Sequence, residues 1–310
     1  MSRLRVGVVG VGYLGKHHAR ILSSMPGVDL VGVVDTNMKR ATEIAAEHGG
    51  RAMLDVRELD GKVDAVTIAV PTAKHLEIAL PFLAAGLPVL VEKPMAASLA
   101  EADALIAAAA KAGGILAVGH TERFNPAVAV ASEHLTDPRF IEVHRLGVFP
   151  ERSLDIDVVF DVMIHDLDVI LSLVKSDVES IDAVGVAVLT KRVDIASVRL
   201  RFANGCMANL TASRISRDRV RKIRFFQPEV YLSIDYAAQK VERFRLSRLL
   251  GIPRIEGGDV PVVNEEPLAR ELADFVDAVS NKRPPLVDGQ EGRRALALAQ
   301  AITDKIATAS

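Results

Sequence analysis

"VGVVGVGYLG", residues 6–15, decides the fold, because it joins a β-branched run to glycines in a G-x-G-x-x-G spacing. The run before Gly10 predicts a strand, and Tyr13 begins a segment of helical period. Gly10 permits a tight turn, Gly12 lets the backbone approach a pyrophosphate, and Gly15 lets helix and strand pack closely. A glycine-rich turn without a ligand is the alternative. The stretch predicts a βαβ unit that binds a dinucleotide at the helix N-terminus.

The second strand of this unit ends at Asp35, twenty residues after Gly15. A carboxylate at this position can accept hydrogen bonds from a ribose 2′-hydroxyl, and it disfavours the 2′-phosphate of NADP. Lys39 and Arg40 follow closely, so NADP is not excluded. NAD is therefore the predicted cofactor.

The hydrophobic pattern divides the chain into two parts. Up to about residue 119, β-branched runs alternate with helical segments, which predicts a doubly wound parallel sheet covered on both faces. Later come a helix, the strand "RFIEVHRLGVF", a second helix and then consecutive β-type runs, with a hairpin signal at Asn204-Gly205. The predicted fold is α/β at residues 1–120, an NAD(P)-binding Rossmann domain. It continues at residues 121–310 as an α+β domain for substrate and oligomerisation, with a large, mostly antiparallel open sheet. Closing helices are predicted near 267–280 and 290–308.

The composition is that of a globular protein with a sizeable core, since 49% of the 310 residues are apolar and 25% are charged. Lys and Arg number 38 against 40 Asp and Glu, which gives no reason to expect nucleic acid or an anionic membrane as partner. No stretch approaches the ~18 continuous apolar residues of a membrane helix. The single Cys206 cannot form an internal disulfide and no signal peptide is recognised, so a cytoplasmic location is expected.

The helix predicted from Val159 carries a polar stripe beside its apolar face. Asp161, His165 and Asp168 lie four and three residues apart, so their side chains can converge. A solvated helix surface, a set of metal ligands and a histidine acid/base tuned by a carboxylate are three interpretations. The sequence lacks a second histidine cluster with ligand spacing, so no metal is predicted. Acid/base chemistry fits a dinucleotide-binding domain better.

A further motif lies in "GLPVLVEKPMA", residues 86–96, where an apolar strand stops at Glu92-Lys93-Pro94. Taken alone, these residues are typical of a strand end that reaches solvent. Together, and in their order along the chain, the motifs are more specific for one protein family than any of them is alone. The chain resembles the family of glucose–fructose oxidoreductase, inositol 2-dehydrogenase and rhizopine-catabolism oxidoreductases in "GVVGVGYLG", "AVPTAKH", "VEKP", "GHTERFNPA" and "DVMIHDLD".

The resemblance implies roles for specific residues. It places Lys93 beside the nicotinamide and the substrate hydroxyl, with a cis peptide bond before Pro94. Asp161 and His165 match the Asp/His pair of the second domain. The implied catalytic residues are Lys93, His165 and Asp161. The implied cofactor-binding residues are Gly10, Gly12, Tyr13, Leu14, Gly15, Asp35, Pro71, Thr72, His75, Glu92, Lys93, Pro94 and Arg123.

The family oxidises secondary alcohols of sugars, polyols and nucleotide sugars. Met163 stands two residues before His165, where members acting on free inositol usually have glycine, so the chain looks more like members acting on UDP-N-acetylhexosamines. A dehydrogenase of a free polyol and a silent NAD-binding regulator are the alternatives. An open sheet face favours a homodimer or homotetramer. The candidate side chains for a substrate diphosphate are Arg152, Lys191, Arg214, Arg217, Arg219 and Arg221.

Overall fold

The computed structural model describes residues 3–149, 156–249 and 252–309. Its first half contains a six-stranded parallel sheet in the order β3-β2-β1-β4-β5-β6. The strands are β1 Leu4–Val9, β2 Val28–Val34, β3 Arg51–Met53, β4 Ala65–Ile68, β5 Val89–Glu92 and β6 Leu116–Gly119. The helices between them are α1 Gly15–Ser24, α2 Met38–His48, α3 His75–Ala84 and α4 Leu99–Ala112, with short 3₁₀ turns at Val56–Leu59 and Thr72–Lys74.

Local signals explain where these elements begin and end. β4, β5 and β6 are buried along their whole length, as expected for parallel strands covered on both faces. The Ser98 hydroxyl accepts a hydrogen bond from the Glu101 backbone N–H at 3.2 Å and caps α4, which ends at Gly113 with φ 65°. The Asn37 side chain caps α2 in the same way.

The second half contains an eight-stranded sheet in the order β14-β13-β12-β11-β7-β10-β9-β8, antiparallel except for the pair β7 and β10. Its core side packs against helices, and Gly205 closes the predicted hairpin with φ 84°. The elements are a 3₁₀ turn Thr121–Phe124, α5 Pro126–Ser132, β7 Phe140–Leu146, a π-helical segment Val159–Met163, α6 Ile164–Val174, β8 Val178–Val186, β9 Ile195–Phe202, β10 Met207–Ser213, β11 Val220–Gln227, β12 Val230–Asp235, β13 Lys240–Leu249, β14 Ile252–Val260, α7 Pro267–Asn281 and α8 Gly289–Ala309. The predicted fold class is confirmed.

By its contacts the chain forms two units: a first unit of Met1–His120 with Leu268–Arg293, and a second unit of Thr121–Pro267 with Arg294–Ser310. The sequence assigned all of 121–310 to one domain, whereas most of α7 belongs to the first unit. The reason is packing, because Leu272 and Phe275 of α7 are buried in the core formed by β1, α1 and β2.

One strand was not predicted. β14 contains Pro253, Gly257 and Gly258, which disfavour a strand by propensity. It lies at the edge of the sheet beside β13, where a proline need not donate to the ladder. Within the described residues, no helix combines the length and the apolar character needed to cross a membrane.

Candidate functional site

The carboxyl edge of the parallel sheet gathers most of the predicted cofactor residues. Gly10 follows β1, Asp35 follows β2, Pro71 comes three residues after β4, and Glu92 ends β5. The strand order reverses between β1 and β4, and open α/β sheets bind ligands at such a switch point. The order and direction of the strands thus bring four segments distant in sequence to one edge.

The glycine turn leaves open space at one of its three glycines. Gly10 has φ 81°, and a Cβ there would lie 2.7 Å from Val70 Cγ1. A Cβ at Gly15 would lie 1.7 Å from the Gly10 carbonyl oxygen, so Gly15 permits the close approach of helix and turn. A Cβ at Gly12 would meet no heavy atom of the described residues within 4 Å. The turn therefore fits a cofactor whose pyrophosphate approaches the backbone at Gly12.

The start of α1 is suited to an anion. Leu14 occupies the N-cap position, and among the described side chains none caps the first turn. Tyr13 is 60% exposed, and Lys16 Nζ lies 5.8 Å from the centroid of its ring. Backbone N–H groups at a helix N-terminus attract phosphate, so this end of α1 supplies donors where the glycine turn leaves space.

Asp35 is buried and connects the glycine turn to α2. Its Oδ2 accepts a hydrogen bond from the Val11 backbone N–H at 3.0 Å, and its Oδ1 accepts one from the Asn37 backbone N–H at 2.9 Å. Arg40 Nη1 lies 3.4 Å from Oδ2, while the Lys39 side chain is exposed. A carboxylate accepts up to about four hydrogen bonds, so Asp35 retains capacity for a ribose hydroxyl.

His75, which the resemblance placed at the cofactor, is a buried bridge between two backbone segments. Its Nδ1 lies 3.0 Å from the Pro94 carbonyl oxygen and its Nε2 lies 3.0 Å from the Val70 carbonyl oxygen. Burial lowers the pKa of His75, although both carbonyls and Glu92 oppose this. Both ring nitrogens of His75 thus face backbone carbonyl oxygens of the protein itself, one in the segment after β5 and one in the loop after β4.

The Glu92-Lys93-Pro94 motif is not a solvated strand end. Glu92 is buried, and its Oε1 lies 3.0 Å from His18 Nε2 of α1. Lys93 is half-buried, and the Lys93–Pro94 peptide bond is cis, as the resemblance implies. Glu271 of α7 lies close by, so that one ligand atom from each of His18, Glu92 and Glu271 falls within 4.8 Å of the other two. Neither His18 nor Glu271 was predicted from the sequence to lie beside this motif.

In the second unit, Arg123 forms a buried ion pair. Its Nη1 donates to Asp168 Oδ1 at 3.2 Å, which ties the Thr121–Phe124 turn to α6. Asp168 is therefore engaged with an arginine. Among the described side chains, Asp161, His165 and Asp168 do not form a group whose ligand atoms lie close enough together to share a metal ion.

A second buried ion-pair network fixes the same turn. Arg145 donates to Asp166 at 2.6 and 3.0 Å and to Glu122 at 2.9 Å, and its guanidinium carbon lies 4.9 Å from the Tyr236 ring centroid. Burial opposes the charge on Arg145, but the two carboxylates outweigh it and raise the pKa of Arg145. This network, which was not predicted from the sequence, holds α6 against the turn and β7.

The predicted acid/base pair lies at a change of helix type. Asp157 Oδ1 accepts from the backbone N–H groups of Val159 and Phe160 and caps the π-helical segment. Asp161 lies in that segment and His165 in the first turn of α6, and both are half-buried. Such π-helical turns are frequent at functional sites. The four-residue spacing of the pair therefore does not correspond to one regular α-helical turn.

One candidate for binding a diphosphate was wrong. Arg214 is buried and donates to Asp194 Oδ1 at 2.9 Å, to the Ile156 carbonyl oxygen at 2.7 Å and to Thr190 at 3.1 Å. Its donors are used by the protein itself. The exposed candidates are Lys191, Arg217, Arg219 and Arg221, and Arg152 lies outside the described residues.

Comparison with known proteins gives this geometry a context. Residues 4–120 match the model of the oxidoreductase family with an NAD-binding Rossmann fold, and residues 129–229 match the Gfo/Idh/MocA C-terminal domain. The chain is 40% identical over 302 residues to UDP-N-acetylglucosamine 3-dehydrogenase of Acidithiobacillus ferrooxidans, covering 96% of each chain. It is 26% identical over 336 residues to myo-inositol 2-dehydrogenase of Thermotoga maritima, covering 96% of this chain and 95% of the relative.

A solved structure extends the likeness to the fold. The UDP-N-acetylglucosamine 3-dehydrogenase from Acidithiobacillus ferrooxidans superimposes with a TM-score of 0.92 at 38% identity, covering 99% of this chain and 98% of that one. The family models that match the two halves of the sequence, and the match of the whole fold, therefore confirm the family resemblance seen in the motifs. The chain belongs to the Gfo/Idh/MocA family of NAD-binding oxidoreductases.

Proposed function

We propose that this chain oxidises the 3-hydroxyl of a UDP-N-acetylhexosamine with NAD as cofactor. One observation carries the choice of substrate. The 40% identity to a UDP-N-acetylglucosamine 3-dehydrogenase extends over 96% of both chains, whereas the myo-inositol dehydrogenase shares 26%. The presence of Met163 two residues before His165 supports the same choice.

The proposed chemistry assigns a role to three side chains. Bound NAD would supply the hydride acceptor. His165 takes the proton of the substrate hydroxyl, and Asp161 keeps the imidazole in the productive state. Lys93 donates a hydrogen bond to the hydroxyl oxygen and stabilises the negative charge that develops there.

The proposed preference for NAD over NADP rests on Asp35. The buried carboxylate lies beside the glycine turn and keeps capacity to accept a hydrogen bond. A 2′-phosphate would meet this negative charge, and the Arg40 guanidinium already lies 3.4 Å from the carboxylate. Binding of NAD therefore suits the site better than binding of NADP.

The experiment is an incubation with NAD and a panel of UDP-N-acetylglucosamine, UDP-N-acetylgalactosamine, myo-inositol and glucose, followed at the NADH absorbance. We expect turnover of a UDP-sugar, with a KM that rises with ionic strength because charge-assisted bonds to the diphosphate are screened. Efficient turnover of inositol or glucose, and of no UDP-sugar, would refute the substrate while leaving a dehydrogenase. Turnover of nothing in the panel would favour the silent regulator.

The proposed assembly is a homodimer or homotetramer in the cytoplasm. Four aromatic rings form a row across β7, β11, β12 and β13, with centroid distances of 5.6, 5.3 and 6.2 Å between Phe140, Phe226, Tyr231 and Phe244. They alternate along the strands with buried core residues, so they occupy the opposite face of the sheet. Light scattering of Phe226→Lys should report a smaller species than the parent.

Cys206 is buried, which fits a reducing compartment.

A further inference from the structure

Two buried histidines hold the residues on either side of Lys93. On one side, His18 Nε2 of α1 lies 3.0 Å from Glu92 Oε1. On the other side, His75 Nδ1 at the start of α3 lies 3.0 Å from the Pro94 carbonyl oxygen. The relative exposures of His18, His75 and Glu92 are 0%, 1% and 5%. Lys93 itself is half-buried, and it stands between two buried neighbours, Glu92 and Pro94.

The pairing of His18 with Glu92 is the stronger of these two contacts. A buried carboxylate without a donor is costly, and Glu271, only 1% exposed, places a second carboxylate within 4.8 Å. Two carboxylates so close together repel each other when both are ionised. An imidazole N–H at hydrogen-bond distance from Glu92, within 4.8 Å of a Glu271 oxygen, offsets part of that repulsion. One histidine and two glutamates could also be metal ligands. The 3.0 Å distance between His18 Nε2 and Glu92 Oε1, however, is that of a direct hydrogen bond.

The contact with His75 links Lys93 to a second segment of the same edge. The imidazole lies between the Pro94 and Val70 carbonyl oxygens, both at 3.0 Å. Val70 lies in the loop that leads from β4 into the Thr72–Lys74 turn. Pro94 and the loop between β4 and α3 therefore pack against the same buried ring, whose single N–H in the neutral form donates to one of the two carbonyl oxygens.

We propose that His18 and His75 are positioning residues that fix the backbone around Lys93 and so aim its side chain. The inference rests on the catalytic role of Lys93 proposed above. A lysine has a long, flexible side chain, so its ammonium group is placed reproducibly only if the backbone that carries it is held. A displacement of about 1 Å at a reacting group can cost about 100-fold in rate. Neither histidine needs to contact substrate or cofactor to exert this effect.

The test compares two substitutions at one position. His18→Leu removes the donor to Glu92 at similar volume, and His18→Gln retains a side-chain N–H. His48→Leu, at the end of α2, is the control for loss of a histidine in the same unit. For each protein, kcat and KM with UDP-N-acetylglucosamine, Kd for NADH by fluorescence, and hydrogen exchange of the peptide spanning residues 89–98 are measured.

We expect His18→Leu to lower kcat by about 10- to 100-fold and to speed exchange in that peptide, with Kd for NADH within about 2-fold of the parent. His18→Gln should recover kcat to within about 3-fold, and His48→Leu should match the parent in both measurements. Parental kcat in folded His18→Leu would overturn the proposal. Equal losses in the Leu and Gln variants would also overturn it, because a role of the hydrogen bond predicts rescue.

A second pair of variants keeps the inference testable if His18→Leu does not fold. His75→Leu and His75→Gln probe the other side of Lys93 with the same expected contrast. If the parent turns over no compound of the panel, the proposed function fails, but exchange of residues 89–98 still decides the inference. Unchanged exchange in folded leucine variants would then show that these histidines do not hold the turn.

Discussion

Gly12→Ala should weaken NAD binding without weakening the fold. A methyl group at Gly12 would meet no atom of the described residues within 4 Å, and the backbone there lies outside the left-handed region. Alanine fits such a backbone and reduces the freedom of the unfolded chain, which raises the free energy of unfolding by about 0.4–1 kcal/mol. Gly10→Ala provides the contrast, because φ is 81° and the new Cβ would lie 2.7 Å from Val70 Cγ1. That variant should lose about 1–2 kcal/mol from its backbone conformation alone.

The effect of Gly12→Ala on binding follows from the same open space. The methyl group would occupy the volume through which a pyrophosphate approaches the backbone. If one phosphate oxygen loses one backbone N–H, the cost is one hydrogen bond to a charged group, about 1.5–3 kcal/mol. Since about 1.4 kcal/mol corresponds to a tenfold change, the Kd for NAD should rise about 10- to 100-fold.

The assay is a fluorescence titration with NADH, together with thermal unfolding of the same samples. Gly114→Ala is the matched control, because it precedes β6 and a Cβ there would lie 3.5 Å from its nearest neighbour, an ordinary contact. We expect the control to bind NADH like the parent. Parental affinity in a fully folded Gly12→Ala protein would show that the phosphates do not lie at this turn. A large fall in Tm would show that the steric argument is wrong.

Three further results are expected. NAD should bind more tightly than NADP because of the Asp35 carboxylate, and equal affinities in a titration with both cofactors would show that Arg40 dominates instead. Lys93→Ala and His165→Ala should leave Tm and NAD affinity unchanged but lower kcat by roughly 10²–10⁴, and parental turnover in both variants would refute their roles. Burial lowers the pKa of His75 in the folded protein, so the unfolded chain binds the proton more tightly. This histidine's contribution to stability is therefore full above about pH 6.5 and declines as the pH falls through that value. The free energy of urea unfolding of the parent minus that of His75→Gln should decrease toward acid pH, and a pH-independent difference would contradict the argument.

Most of the fold could be predicted because its pattern is local. Strands buried on both faces appear as continuous apolar runs, and the Asn204-Gly205 turn fixes a hairpin by backbone preference alone. β14 escaped prediction because its edge position compensates for the proline and glycines that disfavour a strand. The placement of α7 in the first unit was also not predicted, because the apolar face of a helix shows that it packs against a core but not which core that is.

The candidate site could be predicted only in part, because its buried polar partners come from distant segments. The motif residues Gly12, Asp35 and Lys93 follow from strand ends and spacing. His18 and Glu271 do not, although a signal was present in each case. His18 lies one turn from the buried Leu22 on α1, and Glu271 lies on the apolar face of α7 with Phe275 and Ala278. A polar residue on an apolar helix face indicates a buried partner, but the sequence does not identify that partner.

The remaining hydrogen-bond capacity of a charged side chain separates residues that the protein uses for itself from those that it can offer to a ligand. Asp194 accepts three backbone N–H groups on one oxygen and bonds from Thr190 and Arg214 on the other, which fills the capacity of a carboxylate. Those bonds outweigh burial and lower the pKa of Asp194, and Arg214 uses each of its three side-chain nitrogens to donate within the protein. Asp35 instead accepts two backbone N–H groups and one long contact from Arg40. Both carboxylates are buried, so burial alone does not identify a ligand. Only Asp35 combines a position at the carboxyl edge of the parallel sheet with capacity for a further donor, and this combination makes it the stronger candidate for a ribose hydroxyl.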